Sequence, residues 1–284
     1  MDEVTDLTFS LFRIQVHKPR QVDAFHSLVE PSVLLREAVR ERPEIFRWGR
    51  SWLIGNLHDL DPESLYFALG KQLPREVSVL DDARDFRSFP LVVAPNTHVL
   101  LDLRYQVLAI AKNPTVSQRL GTIANRLAEI VESSRAVQKS GCSISVAAID
   151  DPTNFVDQVW SAVTVNRLKV IYSLPNVWDV EKDFQRPFQQ ATQELNSREG
   201  AAQFSGEDLN RSSVIKLARA ATAIGRSATA WIRRDNTAKL TKVSTSGNQA
   251  TQSANDVDES QPMRWAVGTI ASIRSLYESI RRRE

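Results

Sequence analysis

Apolar and polar positions change rhythm along the chain often enough to outline most of its elements. The opening VTDLTFSLFRIQV mixes apolar and polar positions at short period and predicts a strand ending at the His17-Lys18-Pro19 turn. PSVLLREAVRER follows, with Ser32 as N-cap, Val33, Leu34 and Ala38 as a short helical face, and Pro43 as the stop. FRWGRSWLIGNLHDL then alternates, which places Trp48, Arg50, Trp52, Ile54, Asn56 and His58 on one side of a strand. SLYFALGKQL, FPLVVA and HVLLDLRYQVLAI supply further strands, and their short links predict an antiparallel sheet. In TVSQRLGTIANRLAEIVESSRAVQ, residues Leu120, Ile123, Leu127, Ile130 and Val131 recur at helical spacing and should cover one face of that sheet.

Beyond residue 140 the pattern changes style. SISVAAI reads as a strand, Asp151-Pro152 as a cap and first helical position, NFVDQVWSAV as a helix and RLKVIYSL as a strand. A strand, helix, strand unit of this length favours parallel neighbours, as in ferredoxin-like folds. VWDVEKDFQRPFQQATQELNS is amphipathic despite Pro187, whose missing donor should kink the helix or mark its start. SGEDLNRSSVIKLARAATAIG turns Leu209, Val214, Leu217, Ala221 and Ile224 inward, with Gly225 as its C-cap. SATAWIRRDNTAKLTKV reads as a hairpin about Asp235-Asn236, and residues 244–262, poor in apolar positions, read as a flexible loop. A last helix carries Met263, Val267, Ile270, Ile273, Tyr277 and Ile280 on one face. The expected fold is α+β: an antiparallel sheet with a covering helix over residues 1–140, then a ferredoxin-like α/β part over residues 141–284 that includes the hairpin, the loop and the C-terminal helix.

Composition narrows the setting. At 284 residues, with 42% hydrophobic and 25% charged residues, the chain has material for one large or two joined cores. The acidic start and the absence of a long apolar run point to a cytoplasmic protein without membrane insertion. Cys142, the single cysteine, can form no internal disulfide and provides no cysteine-based zinc site. The net charge is only +2, yet it is unevenly placed. Residues 179–208 hold seven acids against three bases, whereas residues 209–243 hold eight bases against one acid. Such blocks steer a charged partner or meet complementary surfaces within one assembly.

The late basic block carries the first candidate site. With a two-residue turn at Asp235-Asn236, Trp231, Arg233 and Lys242 share one face of the hairpin, while Arg226, Arg234 and Lys239 lie on the other. Cations around an aromatic ring are what single-stranded nucleic acid requires, the cations for phosphates and the ring for stacking, and Lys216 and Arg219 on the preceding helix could add to the patch. The competing interpretation is a sheet edge guarded by charge against aggregation. A second candidate joins His58, Asp59 or Asp61, His98 and Asp102, which adjacent strands could bring together for acid-base or metal chemistry. No metal-helix motif supports it. The sequence also lacks G-x-G-x-x-G, a P-loop, G-x-S-x-G and the kinase signatures, so it assigns neither cofactor nor enzyme class.

In order along the chain, RWGRSWLIGNLHDLD, FRSFPLVVAPNTHVLLDL and RLKVIYSLPN, followed by a helix and a late hairpin, resemble a diffuse group of uncharacterised bacterial proteins encoded among phage-defence genes. The resemblance implies a cytosolic component that acts with a partner protein to sense or obstruct an invading element. It carries over no catalytic residue. Three roles follow as expectations: a non-enzymatic component of an antiviral assembly that contacts RNA or DNA through the basic hairpin; a protein-binding or oligomeric subunit without nucleic-acid contact; and, third, a metal-dependent nuclease built on His58 and His98.

Overall fold

The long first strand organises the molecule. In the computed structural model, which describes residues 5–17, 29–80, 82, 84–173, 199–235, 239–258 and 261–281, β1 (Thr5–His17) is paired along both edges. One edge takes β8 (Val107–Ala111). The other takes β14 (Thr251–Val257) along the first half of β1 and β9 (Ser143–Ala148) along the second. From β8 the sheet continues through β7 (Asn96–Asp102), β4 (Ser64–Lys71) and β3 (Arg50–Asp61) to β2 (Glu44–Arg47), which makes eight strands. Every neighbouring pair in it is antiparallel.

Both faces of this sheet are covered, which is why β4 is buried at every position instead of alternating. On one face lie α1 (Pro31–Arg40), α2 (Leu120–Glu132) and the short α3 (Arg135–Ser140), over Phe12, Ile14, Phe67, Val99 and Ile110. Across the other face runs α6 (Pro262–Arg281), over Phe9, Leu11, Tyr66, Leu100 and Ala109. The buried face of α6 is Trp265, Ala266, Ile270, Ile273, Tyr277 and Ile280; Met263 and Val267, expected inward, are exposed. Between β4 and β7 the chain leaves the sheet as a two-stranded ribbon, β5 (Leu73–Leu80) with β6 (Phe86–Val93), eight residue pairs with no third strand among the described residues.

The second sheet, ordered β11-β10-β12-β13, is also antiparallel: β10 (Thr164–Ser173), β11 (Glu199–Ser205), β12 (Ala228–Arg233) and β13 (Thr241–Ser244). Its inner face, with Val165, Leu168, Val170, Ala230 and Ile232, packs on α4 (Thr153–Ser161) and α5 (Arg211–Ala223). Asn210 caps α5 by accepting from the Ser213 N–H. At its other end the Arg226 N–H reaches the Ala221 carbonyl and the Gly225 N–H the Thr222 carbonyl, with Gly225 at φ +72°. Gly225 is tied to its place twice over, since a β-carbon there would stand 2.7 Å from that of Ala147 on β9.

The fold is therefore α+β, and the sheets divide the chain differently from a cut at residue 140. The expected parallel strand, helix, strand unit does not form, because β9 pairs with β1 and β10 belongs to the second sheet. Residues 244–262, expected as a loop, contain β14; Ala250, Ala254 and Val257 turn into the core, and the unfilled half-edge of β1 supplies the ladder that an otherwise polar stretch needs. The unit around the second sheet thus leaves between β9 and β14 and returns to the same edge, its stalks bound where Ala250 donates to Ile149 (2.8 Å) and Asp151 to Asn248 (2.7 Å). The amphipathic stretch around Pro187, most of the acidic block, the His17-Lys18-Pro19 turn beyond His17 and Asn236 of the expected turn lie outside the described residues. No described helix is long and apolar enough to cross a membrane.

Candidate nucleic-acid interface

Helices α4 and α5 lie on one side of the second sheet, and among the described residues no helix or strand covers the other, open side. Strand alternation then decides which side chains occupy the open side. Two rows cross all four strands: Ser205, Arg167, Trp231 and Lys242 in one, Gln203, Lys169, Thr229 and Ser244 in the other. These positions hold three cations, hydroxyls, an amide and one large ring, with no carboxylate. Arg167, Lys169 and Lys242 are exposed and Trp231 is half-buried. The Arg167 guanidinium carbon lies 5.3 Å from the Trp231 ring centroid, a cation–π contact that occupies one face of the ring and orients it. Arg233, exposed at the end of β12 opposite Thr164, extends the positive field. Among the described residues none of Arg167, Lys169, Arg233 and Lys242 takes part in an ion pair.

The hairpin has a different register from the expected one. Trp231 pairs with Lys242 and Ile232 with Thr241, so the connection spans residues 233–240 in place of a two-residue turn. Trp231 and Lys242 remain on one face. The remaining expected contacts do not join them. Lys216 is exposed on α5, on the helix side of the sheet. Arg219 donates to the Ser279 carbonyl of α6 at 2.7 Å, which fastens the second unit to the first. Arg226 is half-buried in the turn that ends α5, Lys239 is exposed ahead of β13, and Arg234 donates to the Gln158 side chain on α4 at 3.0 Å. Conversely, Arg167 and Lys169 lie outside the basic block that begins at residue 209, yet they stand on this face. Their signal was the alternation in TVNRLKVIYS, which puts both opposite the apolar face; a charge count started at residue 209 could not see them.

The histidine candidate resolves into packing. A bulge at Asn56, φ +47°, shifts the alternation of β3, so His58 leaves the face of Trp52 and Ile54 and joins that of Tyr66. Tyr66 lies between His58 and His98, 5.9 Å from each ring; its hydroxyl bonds His98 Nδ1 at 2.8 Å, and Trp265 closes the cluster edge-on. The carboxylates are engaged elsewhere. Asp59 binds Arg36 and Arg40, while Asp61 and the fully buried Asp102 converge on Arg274 at 2.9 and 2.5 Å. Burial pushes the Asp102 carboxyl up, against the Tyr105 N–H and Arg274, which favour its charged form. Burial also acts to raise Asp61, but bonds from Arg274, the Glu63 N–H and Ser64 outweigh it and hold that carboxyl below the usual range. Asp102 is therefore the counter-ion of Arg274, and the described residues contain no group of three His, Cys, Asp or Glu side chains placed to hold a metal. No protein-family model matches the chain, and no curated protein matches it.

Proposed function

We propose that the protein is a non-enzymatic component that holds single-stranded nucleic acid across the open face of its second sheet. The observation that supports this reading is the row in which Trp231 stands between Arg167 and Lys242, with Lys169 beside it and no acidic side chain in either row. A single strand offers such a surface unpaired bases that stack on an indole and phosphates about one cation's reach away. The resemblance to proteins encoded among phage-defence genes supplies the context, a cytoplasmic assembly directed at an invading element.

The test is fluorescence anisotropy with labelled oligonucleotides at low salt. Trp231→Ala should weaken binding by about 1–3 kcal/mol, the usual worth of one stacked base. Arg167→Glu with Lys169→Glu should lower the slope of log K against log salt by at least about 1.4, because each phosphate contact on a single strand contributes about 0.7. Charge reversal at Arg233 and Lys242 should abolish binding while the thermal melt is unchanged. Reversal of Lys216 on the helix side should leave affinity intact. Equal affinities for the wild type and the open-face variants at low salt would overturn the reading.

A second reading, an oligomeric or protein-binding subunit, is favoured by the β5–β6 ribbon. Val77, Val79, Phe89 and Leu91 share one face of it, and Phe89 and Leu91 are about half exposed. A ribbon without a third strand is marginal in water by itself. Light scattering after size-exclusion chromatography separates the readings: a salt-stable oligomer free of nucleic acid that Phe89→Asp dissociates favours the second.

A further inference from the structure

On the first sheet, far in sequence from the cationic open face, a different set of cations surrounds a cleft of about 480 Å³ between the β2–β3 turn and α2. Its size lies within the range of about 300–1,000 Å³ common for small-molecule sites. Lys71, at the end of β4, stands directly opposite Trp52 on β3 and is only 7% exposed. Its ammonium donates to the Val116 carbonyl and lies 5.8 Å from the Trp52 ring centroid. Among the described residues no carboxylate pairs with Lys71 or with Arg50, which projects into the same cleft. Arg126 of α2 and Arg47 of β2 complete the wall and share one acid, Glu129, at 2.5 and 3.0 Å. Four cations thus face one carboxylate, and the most buried of them, Lys71, has only a carbonyl and an aromatic ring as partners among the described residues. Such an arrangement is costly unless an anion enters. Burial and, after it, the charge of Arg50 both act to lower the Lys71 pKa, as expected of a cation awaiting a counter-charge.

The rim carries a second sign. The tip of the β2–β3 hairpin is Trp48-Gly49, with φ +55° and +71° at the two residues. A two-residue hairpin turn of this kind needs the left-handed region at both central residues, and it here carries a bulky ring where asparagine, aspartate or glycine is favoured. Trp48 is also 86% exposed, so burial of its indole does not explain it. A ring held over a cationic cleft is suited to stack on a planar ligand.

We propose that this cleft binds a nucleoside phosphate, its phosphates between Lys71, Arg50 and Arg126 and its base against Trp48. The ligand chemistry is the same for a free nucleotide and for the phosphorylated 5′ end of a strand, and the measurement separates them. The site is independent of the open-face reading, so titrations are made on the Arg233→Glu, Lys242→Glu background, in which that face is silenced. Calorimetry with the four ribonucleoside triphosphates, inorganic triphosphate, and a dinucleotide with and without a 5′-phosphate reads both sources. We expect saturable binding of a triphosphate or of the 5′-phosphorylated dinucleotide, weakened at least tenfold by Arg50→Glu and by Lys71→Met. Trp48→Ala should weaken the nucleoside ligand at least fivefold and leave inorganic triphosphate unchanged. Arg50 and Trp48 are exposed, so their variants remain informative if Lys71→Met melts early. Absence of heat from every nucleoside phosphate at millimolar concentration, or binding indifferent to Arg50→Glu, overturns the proposal; a loss on Trp48→Ala equal for both kinds of ligand overturns the assignment of the base.

Discussion

Arg274→Ala should destabilise the protein by about 3–5 kcal/mol, the usual cost of removing one partner from a buried ion pair. The guanidinium on α6 holds Asp61 at the end of β3 and Asp102 at the end of β7 together, so three elements of the first sheet and its cover meet at one charge. Asp61 keeps some access to water, whereas Asp102 has 1% of its side chain exposed and no comparable route to hydration. Without Arg274 the Asp102 carboxyl, already pushed up by burial, rises further. A folded-state pKa above the unfolded value gives stability that is present at low pH and lost as the pH rises through it. The deficit of Arg274→Ala relative to wild type should therefore shrink on acidification from neutrality towards pH about 4, the ordinary aspartate value. Urea melts at neutral and acidic pH check this. Asp102→Asn combined with Arg274→Met should recover part of the loss of Arg274→Met alone, because the unpaired charge is gone. A deficit of under about 1 kcal/mol at neutral pH would mean that the pair is solvated and not structural.

Phe67→Ala should cost about 3–5 kcal/mol, while the same change at Phe89 should cost under about 1 kcal/mol. Phe67 is fully buried on β4, at the centre of the larger core between the sheet and α2. Deleting its ring removes the transfer free energy of a phenyl group and leaves a cavity that a sheet braced on both faces cannot close. Phe89 lies on the β5–β6 ribbon and is 53% exposed, so its ring has little burial to lose. Chemical denaturation of both variants reads the contrast. Similar losses at the two sites would place the ribbon in the cooperative core of the isolated chain.

Much of the first layer was legible because its pattern is local. The spacing from Leu120 to Val131 identified α2, and Gly225 announced the end of α5. What remained hidden depends on pairings between distant segments. Nothing near Thr251 reveals that β1 has a vacant half-edge, so a stretch of serine, threonine and glutamine read as loop became a strand. The Asn56 bulge reversed the sidedness of His58, and one inserted residue was enough to convert a supposed acid-base cluster into aromatic packing. For the candidate interface, Trp231 and Lys242 were visible from alternation within one hairpin. Arg167 and Lys169 joined them only through the β10–β12 pairing, which brings together segments some sixty residues apart.

The attachment of the second unit has a mechanical consequence. Its two stalks leave one edge of β1 from the same point near Leu11, with β9 running one way and β14 the other. A pull on a strand held by that unit would strip hydrogen bonds from the seam outward in both directions, one rung at a time, the direction in which a ladder resists least. The opposite edge, held by β8, would carry none of that load directly. Were a strand held there as proposed, tension on it would thus be felt first where the two stalks meet and at the Arg219–Ser279 link, well before the rest of the sheet gives way.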